Sequence, residues 1–158
     1  MIIKGLVDED FVNYKKASMF IIFPTCSFKC DKEFGSSLCQ NSKLALQRTI
    51  EIDVDKIIDR YITNPLTHSI VCGGLEPFDS WDDLLDLIKK FRLKTNDDII
   101  IYTGYNKSEI SERVDLLSTF DNIIVKFGRY IPGQEKHFDD VLGVYLASDN
   151  QYAERLER

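Results

Sequence analysis

The apolar positions of this chain fall into short blocks that alternate between two periods. Ser18-Met-Phe-Ile-Ile-Phe23 is a continuous apolar run stopped by Pro24, which predicts a buried strand. A polar, cysteine-bearing stretch follows to about Arg48 and reads as a loop. Asp53 then stands where a helix N-cap belongs, ahead of Val54, Ile57, Ile58 and Tyr61 spaced along one helical face. Ser69-Ile-Val-Cys72 predicts a second strand, stopped by Gly73-Gly74. Ser80 caps a further helix, with Asp83 three residues on as a weak capping box and Trp81, Leu84, Leu85, Ile88 and Phe91 as its stripe. Asp98 to Tyr102 is a third strand closed by Thr103-Gly104, and Ser108 is placed to cap a helix through Ile110, Val114 and Leu117. Asn122 to Val125 is a fourth strand ended by Phe127-Gly128, and one more apolar segment covers Val141 to Leu146.

Strands alternating with helices predict βαβ units and a single α/β domain over 1–158, with a mainly parallel sheet. Right-handed crossovers put the helices on one side if that sheet curves like part of a barrel. The unusual residues then share one location. The cysteine loop, Gly73-Gly74, Thr103-Gly104 and Gly128-Arg129 each follow a strand, so a parallel sheet gathers them at its C-terminal edge, where α/β proteins build their sites.

Composition narrows the classes. With 44% hydrophobic and 29% charged residues in 158 positions, the chain can bury a core. Twenty Lys plus Arg against 26 Asp plus Glu give a net charge of −6, which argues against a nucleic-acid partner. No apolar run approaches a bilayer span, which argues against a membrane partner. The first residues, MIIKGLVDEDFVNYKK, carry acids where a signal peptide has its apolar region, so a cytoplasmic protein is expected.

In a reducing cytosol the four cysteines, Cys26, Cys30, Cys39 and Cys72, are unlikely structural disulfides, and metal or redox chemistry leads. Cys26-Ser-Phe-Lys-Cys30 followed by Cys39-Gln-Asn41 is the strongest signal. Three thiolates on one loop can hold three irons of a [4Fe-4S] cluster and leave the fourth iron open to a ligand. Two alternatives stand beside it: cysteines buried as small hydrophobes, and a structural zinc completed by Cys72. A cluster that only transfers electrons would also call on Cys72, whose position at the end of an apolar strand otherwise suits packing.

Gly73-Gly-Leu-Glu-Pro77 is the second signal. Two glycines at a strand end let a ligand approach the backbone, and Glu76 can add a carboxylate. Tyr102-Thr-Gly-Tyr105 is a third, weaker one that also reads as a turn with two half-buried tyrosines. The acids Asp79, Asp82, Asp83 and Asp86 lie mostly opposite the stripe of their helix and read as a solvated face. His68 and His137 stand near no nucleophile pattern and read as structural or solvent-facing.

Taken together these residues resemble the radical S-adenosylmethionine superfamily, and within it the activating proteins of anaerobic ribonucleoside-triphosphate reductases. Cys26, Cys30 and Cys39 resemble the cluster motif, with eight residues between the second and third cysteine where the family has two. Asn41 matches the Asn that often follows in activases. Gly73-Gly74-Leu-Glu76-Pro77 is similar to the Gly-Gly-Glu-Pro segment whose backbone receives the methionine amino group, with Leu75 inserted. Ile101 to Gly104, Gly128-Arg-Tyr130 and Ala147 to Gln151 resemble further activase tracts, with Tyr152 where a basic residue is usual. In the family the residue before the third cysteine is aromatic and packs near the adenine; here it is Leu38, with Phe28 as the substitute.

The resemblance implies an incomplete βα barrel. It implies a [4Fe-4S] cluster on Cys26, Cys30 and Cys39, and S-adenosylmethionine held by Phe28, Leu38, Gly73, Gly74, Glu76 and Thr103. It also implies reductive cleavage to a 5′-deoxyadenosyl radical that makes a glycyl radical on a partner, such as the large subunit of the anaerobic reductase. Flavodoxin or ferredoxin would then be the reductant. The same chemistry on another substrate is the nearest alternative.

Overall fold

The computed structural model describes residues 1–35 and 41–158, with Cys30 and Phe34 described through their backbone. In chain order the elements are β1 (Ile2–Ile3), β2 (Gly5–Asp10), β3 (Ser18–Phe23), α1 (Lys29–Phe34), β4 (Ile50–Glu51), α2 (Val54–Ile62), β5 (Ser69–Gly74), α3 (Trp81–Arg92), β6 (Asp98–Tyr102), α4 (Ser111–Leu117), β7 (Ile123–Phe127), β8 (His137–Asp139), β9 (Val144–Leu146) and β10 (Tyr152–Arg155). Short 3-10 turns cover Ser42–Leu46, Pro77–Ser80 and Lys107–Ile110.

The architecture is α/β around a mixed six-stranded sheet in the order β10-β7-β6-β5-β3-β2. The inner four strands are parallel, with Ile21 opposite Cys72, Cys72 opposite Ile101 and Ile101 opposite Val125. Both edge strands run antiparallel. From β3 each new parallel strand is laid on the same side of the last, so successive right-handed crossovers place their helices on one face.

The period-two alternation divides the core accordingly. Met19, Ile21, Ile70, Cys72, Ile99, Ile101, Ile123 and Val125 point to the helical face and pack with residues of α2, α3 and α4. Val71, Ile100 and Ile124 point the other way and are covered by Tyr14, Leu142, Leu146 and Ala153, from loops and short strands. The four inner strands are thus buried on both faces, which is why they read as unbroken apolar runs.

The structure also amends the expected elements. Asp53 does cap α2, its Oδ1 accepting from Asp55 N at 3.0 Å. On α3 the Ser80 side chain makes no cap bond, and Asp83 accepts instead from Ile2 N, 3.2 Å away, because β1 crosses that helix start. Leu87, fully buried, takes the place expected for Leu85 in the stripe. Near Ser108 the cap is Asn106, in a reciprocal box with Glu109, and a 3-10 turn precedes the helix. β5 continues through Gly73 and Gly74, since Gly73 still pairs with Ile22. The stretch expected as a plain loop contains α1 and a 3-10 turn. Among the described residues no helix is long and apolar enough to cross a membrane.

Candidate functional site

A cleft of about 430 Å3 opens at the C-terminal ends of β3, β5, β6 and β7. That volume lies in the range of small-molecule sites. Cys26, Gly73, Gly74, Glu76 and Thr103 all border it, so the strand-end convergence expected from sequence is realised.

Each residue arrives there for a local reason. Cys26 lies three residues beyond β3, where Pro24 has ended the strand. It is a partly exposed residue, and its sulfur accepts a hydrogen bond from Phe28 N at 3.3 Å. Phe28 sits in the left-handed region at φ 52° and turns the chain into α1, so Cys30 falls in that helix's first turn. Gly74 has φ +82°, and a Cβ there would meet Ile22 Cγ2 at 2.5 Å. Only glycine lets the chain leave β5 in that direction. At Gly73 a Cβ would meet Phe20 Cε2 at 3.2 Å and Tyr102 Cβ at 3.3 Å, closing the approach to the backbone.

Glu76 is 6% exposed. Its Oε1 accepts from Thr103 Oγ1 at 2.8 Å and from Phe78 N at 3.1 Å, and its Oε2 accepts from Gly104 N at 2.8 Å. Burial pushes its carboxyl up to about 7, against the pull of those three donors. Thr103, expected at the cofactor, spends its hydroxyl proton on Glu76 and accepts from Tyr105 N at 3.0 Å. Lys126 and Arg129, each 7% exposed, also line the cleft and bring cations to it. The Arg129 guanidinium grips Glu109 through two bonds of 2.9 and 2.6 Å and holds that carboxyl down at about 2.

Cys39 and Leu38 lie outside the described residues. Asn41, next in the same motif, borders the cleft. Cys72 stands elsewhere: it is fully buried on the helical face, and burial pushes its thiol far above the ordinary range. The structure therefore turns away the ligand on which a four-thiolate zinc site or a closed electron-transfer cluster would depend.

A family model described as a 4Fe-4S single cluster domain matches residues 15–151. The chain belongs to that family. Searches of curated proteins and of solved structures found no match. The donors fit the group that a 4Fe-4S single cluster domain carries. Cys26, a partly exposed residue whose sulfur accepts from a backbone N–H, lies at the edge of a cleft with room beside it. Cys30 follows one helical turn away in sequence. Thiolates in such a setting are the usual iron–sulfur ligands, and hydrogen bonds to them tune the cluster.

The cluster domain also uses residues that sequence reasoning set aside. Asp79, read as part of a solvated face, accepts from Ser27 N at 2.8 Å and from Tyr105 Oη at 2.6 Å. Tyr105, read as a turn tyrosine, has Lys29 Nζ at 4.5 Å and the Arg129 guanidinium at 5.9 Å from its ring centre. The signal available was their position: Asp79 trails the Gly-Gly-Leu-Glu-Pro run by two residues, and Tyr105 ends the Tyr-Thr-Gly-Tyr tract.

Proposed function

We propose that this cluster domain is a radical S-adenosylmethionine activase. In this reading the sheet is part of an incomplete βα barrel and Cys26, Cys30 and Cys39 hold three irons. The observation that carries it is the joining of two motif loops at one cleft: Glu76 N donates to Thr25 O at 2.8 Å, so the Gly-Gly-Leu-Glu loop is bonded to the residue before Cys26. The loop that would carry the cluster and the loop that would cradle an amino acid are thereby neighbours. The cofactor is itself charged in both senses, and the cleft is lined by Lys126 and Arg129 as well as by Glu76.

Cys26, Cys30 and Cys39 would hold the cluster, which when bound would supply the one electron for reductive cleavage of S-adenosylmethionine to methionine and a 5′-deoxyadenosyl radical, the species that would take hydrogen from a glycine Cα of the partner enzyme. The chain's own task is placement. Gly73 and Gly74 keep the cradle free of side chains, and Gly74 supplies the left-handed turn that aims it. Glu76 fixes the next turn by binding Phe78 N and Gly104 N, which ties the loop after β5 to the loop after β6. Phe28 and Leu38 flank Cys26 and Cys39 in sequence and are the apolar candidates for the adenine side. The partner is a glycyl-radical enzyme, foremost the anaerobic ribonucleoside-triphosphate reductase, with flavodoxin or ferredoxin as electron source.

The test is 5′-deoxyadenosine formation by anaerobically reconstituted, dithionite-reduced protein given S-adenosylmethionine. Product that Cys26→Ala and Cys39→Ala both abolish is the expected result. A full iron and sulfide load with no product, alone or with the reductase present, would overturn the reading.

A further inference from the structure

Two successive peptide N–H groups beside Cys26 point to different acceptors. Ser27 N donates outward to Asp79 Oδ2 at 2.8 Å, and Phe28 N donates back to Cys26 Sγ at 3.3 Å. Phe28 holds φ 52°, a conformation that costs a non-glycine residue about 1 kcal/mol, so something must hold the turn. Asp79 does so from a 3-10 turn 52 residues away in sequence. Its other oxygen is fixed by Tyr105 Oη at 2.6 Å, and the Tyr105 ring lies beneath Lys29 Nζ. Lys29 also reaches Glu109 at 3.6 Å, and Glu33 of α1 reaches Arg129 at 3.4 Å. The segment bearing Cys26 and Cys30 is therefore fastened to the body by polar contacts, of which Asp79 holds the peptide next to Cys26.

We propose that Asp79, seconded by Tyr105, is a positioning residue that sets the hydrogen bond on the Cys26 sulfur and with it the reduction potential of the cluster. The inference rests on the cluster being held through Cys26; it does not require S-adenosylmethionine. An N–H on a ligating sulfur draws charge from it and favours the reduced, more negative cluster, so it raises the potential. Without Asp79 the Cys26–Ser27 peptide is released, the strained turn relaxes, and Phe28 N–H leaves the sulfur.

The experiment is an EPR-monitored redox titration of reconstituted holoprotein, with chelator-driven iron release as a second readout, both without S-adenosylmethionine. Asp79→Ala is expected to keep the fold, lower the potential and release iron about tenfold faster, in keeping with loss of one charge-assisted hydrogen bond. Asp79→Asn keeps an acceptor for Ser27 N–H and should restore most of both, an outcome that mere loss of packing does not produce. Tyr105→Phe should shift both readouts the same way by less. The double variant should lose less than the sum of the two single losses, since Tyr105 acts in part through Asp79 and in part through its own bond to Ser27. If Asp79→Ala assembles no cluster, Tyr105→Phe and hydrogen–deuterium exchange across Thr25 to Phe28 decide: exchange should quicken about tenfold in Asp79→Ala. Wild-type potential and release in Asp79→Ala, or unchanged exchange, overturns the proposal. A cluster of altered potential in a protein that never cleaves S-adenosylmethionine would overturn the activase reading and leave this one standing.

Discussion

Asp98 begins β6 at one end of the parallel strands and Glu76 follows β5 at the other, and the two carboxylates are 5% and 6% exposed. Asp98 is met by cations: Lys16 Nζ at 2.6 Å and Arg155 Nη1 at 3.0 Å, with Tyr14 Oη at 3.0 Å. Among the described residues, Glu76 accepts from neutral donors, those of Thr103, Gly104 and Phe78. Burial pushes both acids up. At Asp98 the hydrogen bonds from Lys16, Arg155 and Tyr14 outweigh it and hold the carboxyl below its ordinary range. At Glu76 three neutral donors do not, and the carboxyl rises to about 7. Both side chains are hidden from solvent, but Glu76 lies the deeper of the two, and the opposite titration follows from that deeper burial together with the cations that only Asp98 meets. The first end ties the segment before β3 and the strand β10 to the sheet. The second end leaves a carboxylate at the cleft, its neighbouring cations engaged elsewhere.

Removing the ionic hub is the most severe way to break this contrast. Asp98→Ala leaves the buried Tyr14 hydroxyl without its acceptor and two half-exposed cations without their shared carboxylate, and about 3 kcal/mol of stability should go. The sign of its pH dependence follows from the lowered carboxyl. Its contribution is present above the ordinary Asp value and lost as pH falls through the folded one. Urea unfolding of wild type and variant should therefore differ by a constant amount above about pH 4 and converge as pH falls below it. Parallel curves down to the most acid point would mean that Asp98 stabilises through packing alone.

Glu76 predicts the reverse slope. Its folded value, about 7, stands above the ordinary 4.5, so the folded protein holds this proton more tightly than the unfolded chain. Its contribution is complete below the unfolded value and is lost as pH rises towards about 7, amounting to about 3 kcal/mol across that window. Glu76→Gln cannot titrate and forfeits one donor bond, since its amide group must face either Gly104 N or Phe78 N. The difference in unfolding free energy between wild type and Glu76→Gln should favour wild type most at low pH and shrink towards neutrality. A difference that does not change with pH would place the carboxyl in its ordinary range and remove the contrast with Asp98.

The same contrast explains what the sequence displays and what it conceals. β3, β5, β6 and β7 were legible because strands buried on both faces are written as apolar runs, and Asp53 was legible because capping is local. β2 was not: Gly-Leu-Val-Asp-Glu-Asp is an edge strand whose outward acids mask any pattern. β10, Tyr-Ala-Glu-Arg, is short and pairs with residues far back in the chain. At the site, the gathering of Cys26, Gly73, Gly74, Glu76 and Thr103 followed from strand ends alone. The partners that fasten them did not, because Ser27 meets Asp79 and Tyr105 meets Asp79 only after the sheet is assembled. Asp79 is exposed, as the sequence reading has it, yet its carboxylate also accepts from Ser27 N and Tyr105 Oη, partners that local patterning cannot supply.

Cys72 sharpens the comparison at the lowest energetic cost. It pairs with Ile21 and Ile101 across the sheet, is fully buried among the helical-face residues, and lies one residue before Gly73, whose backbone borders the cleft. Alternation sends its sulfur away from the cleft, and burial keeps it a thiol. Cys72→Ala removes one buried sulfur and should cost about 1–2 kcal/mol as a small cavity. Iron and acid-labile sulfide per chain should match wild type, along with the visible absorption of the cluster. Loss of the cluster in a variant that still folds would mean that this sulfur reaches the iron. The fourth coordination position would then be closed by protein, and the open-iron chemistry proposed for the cleft would have no place to occur.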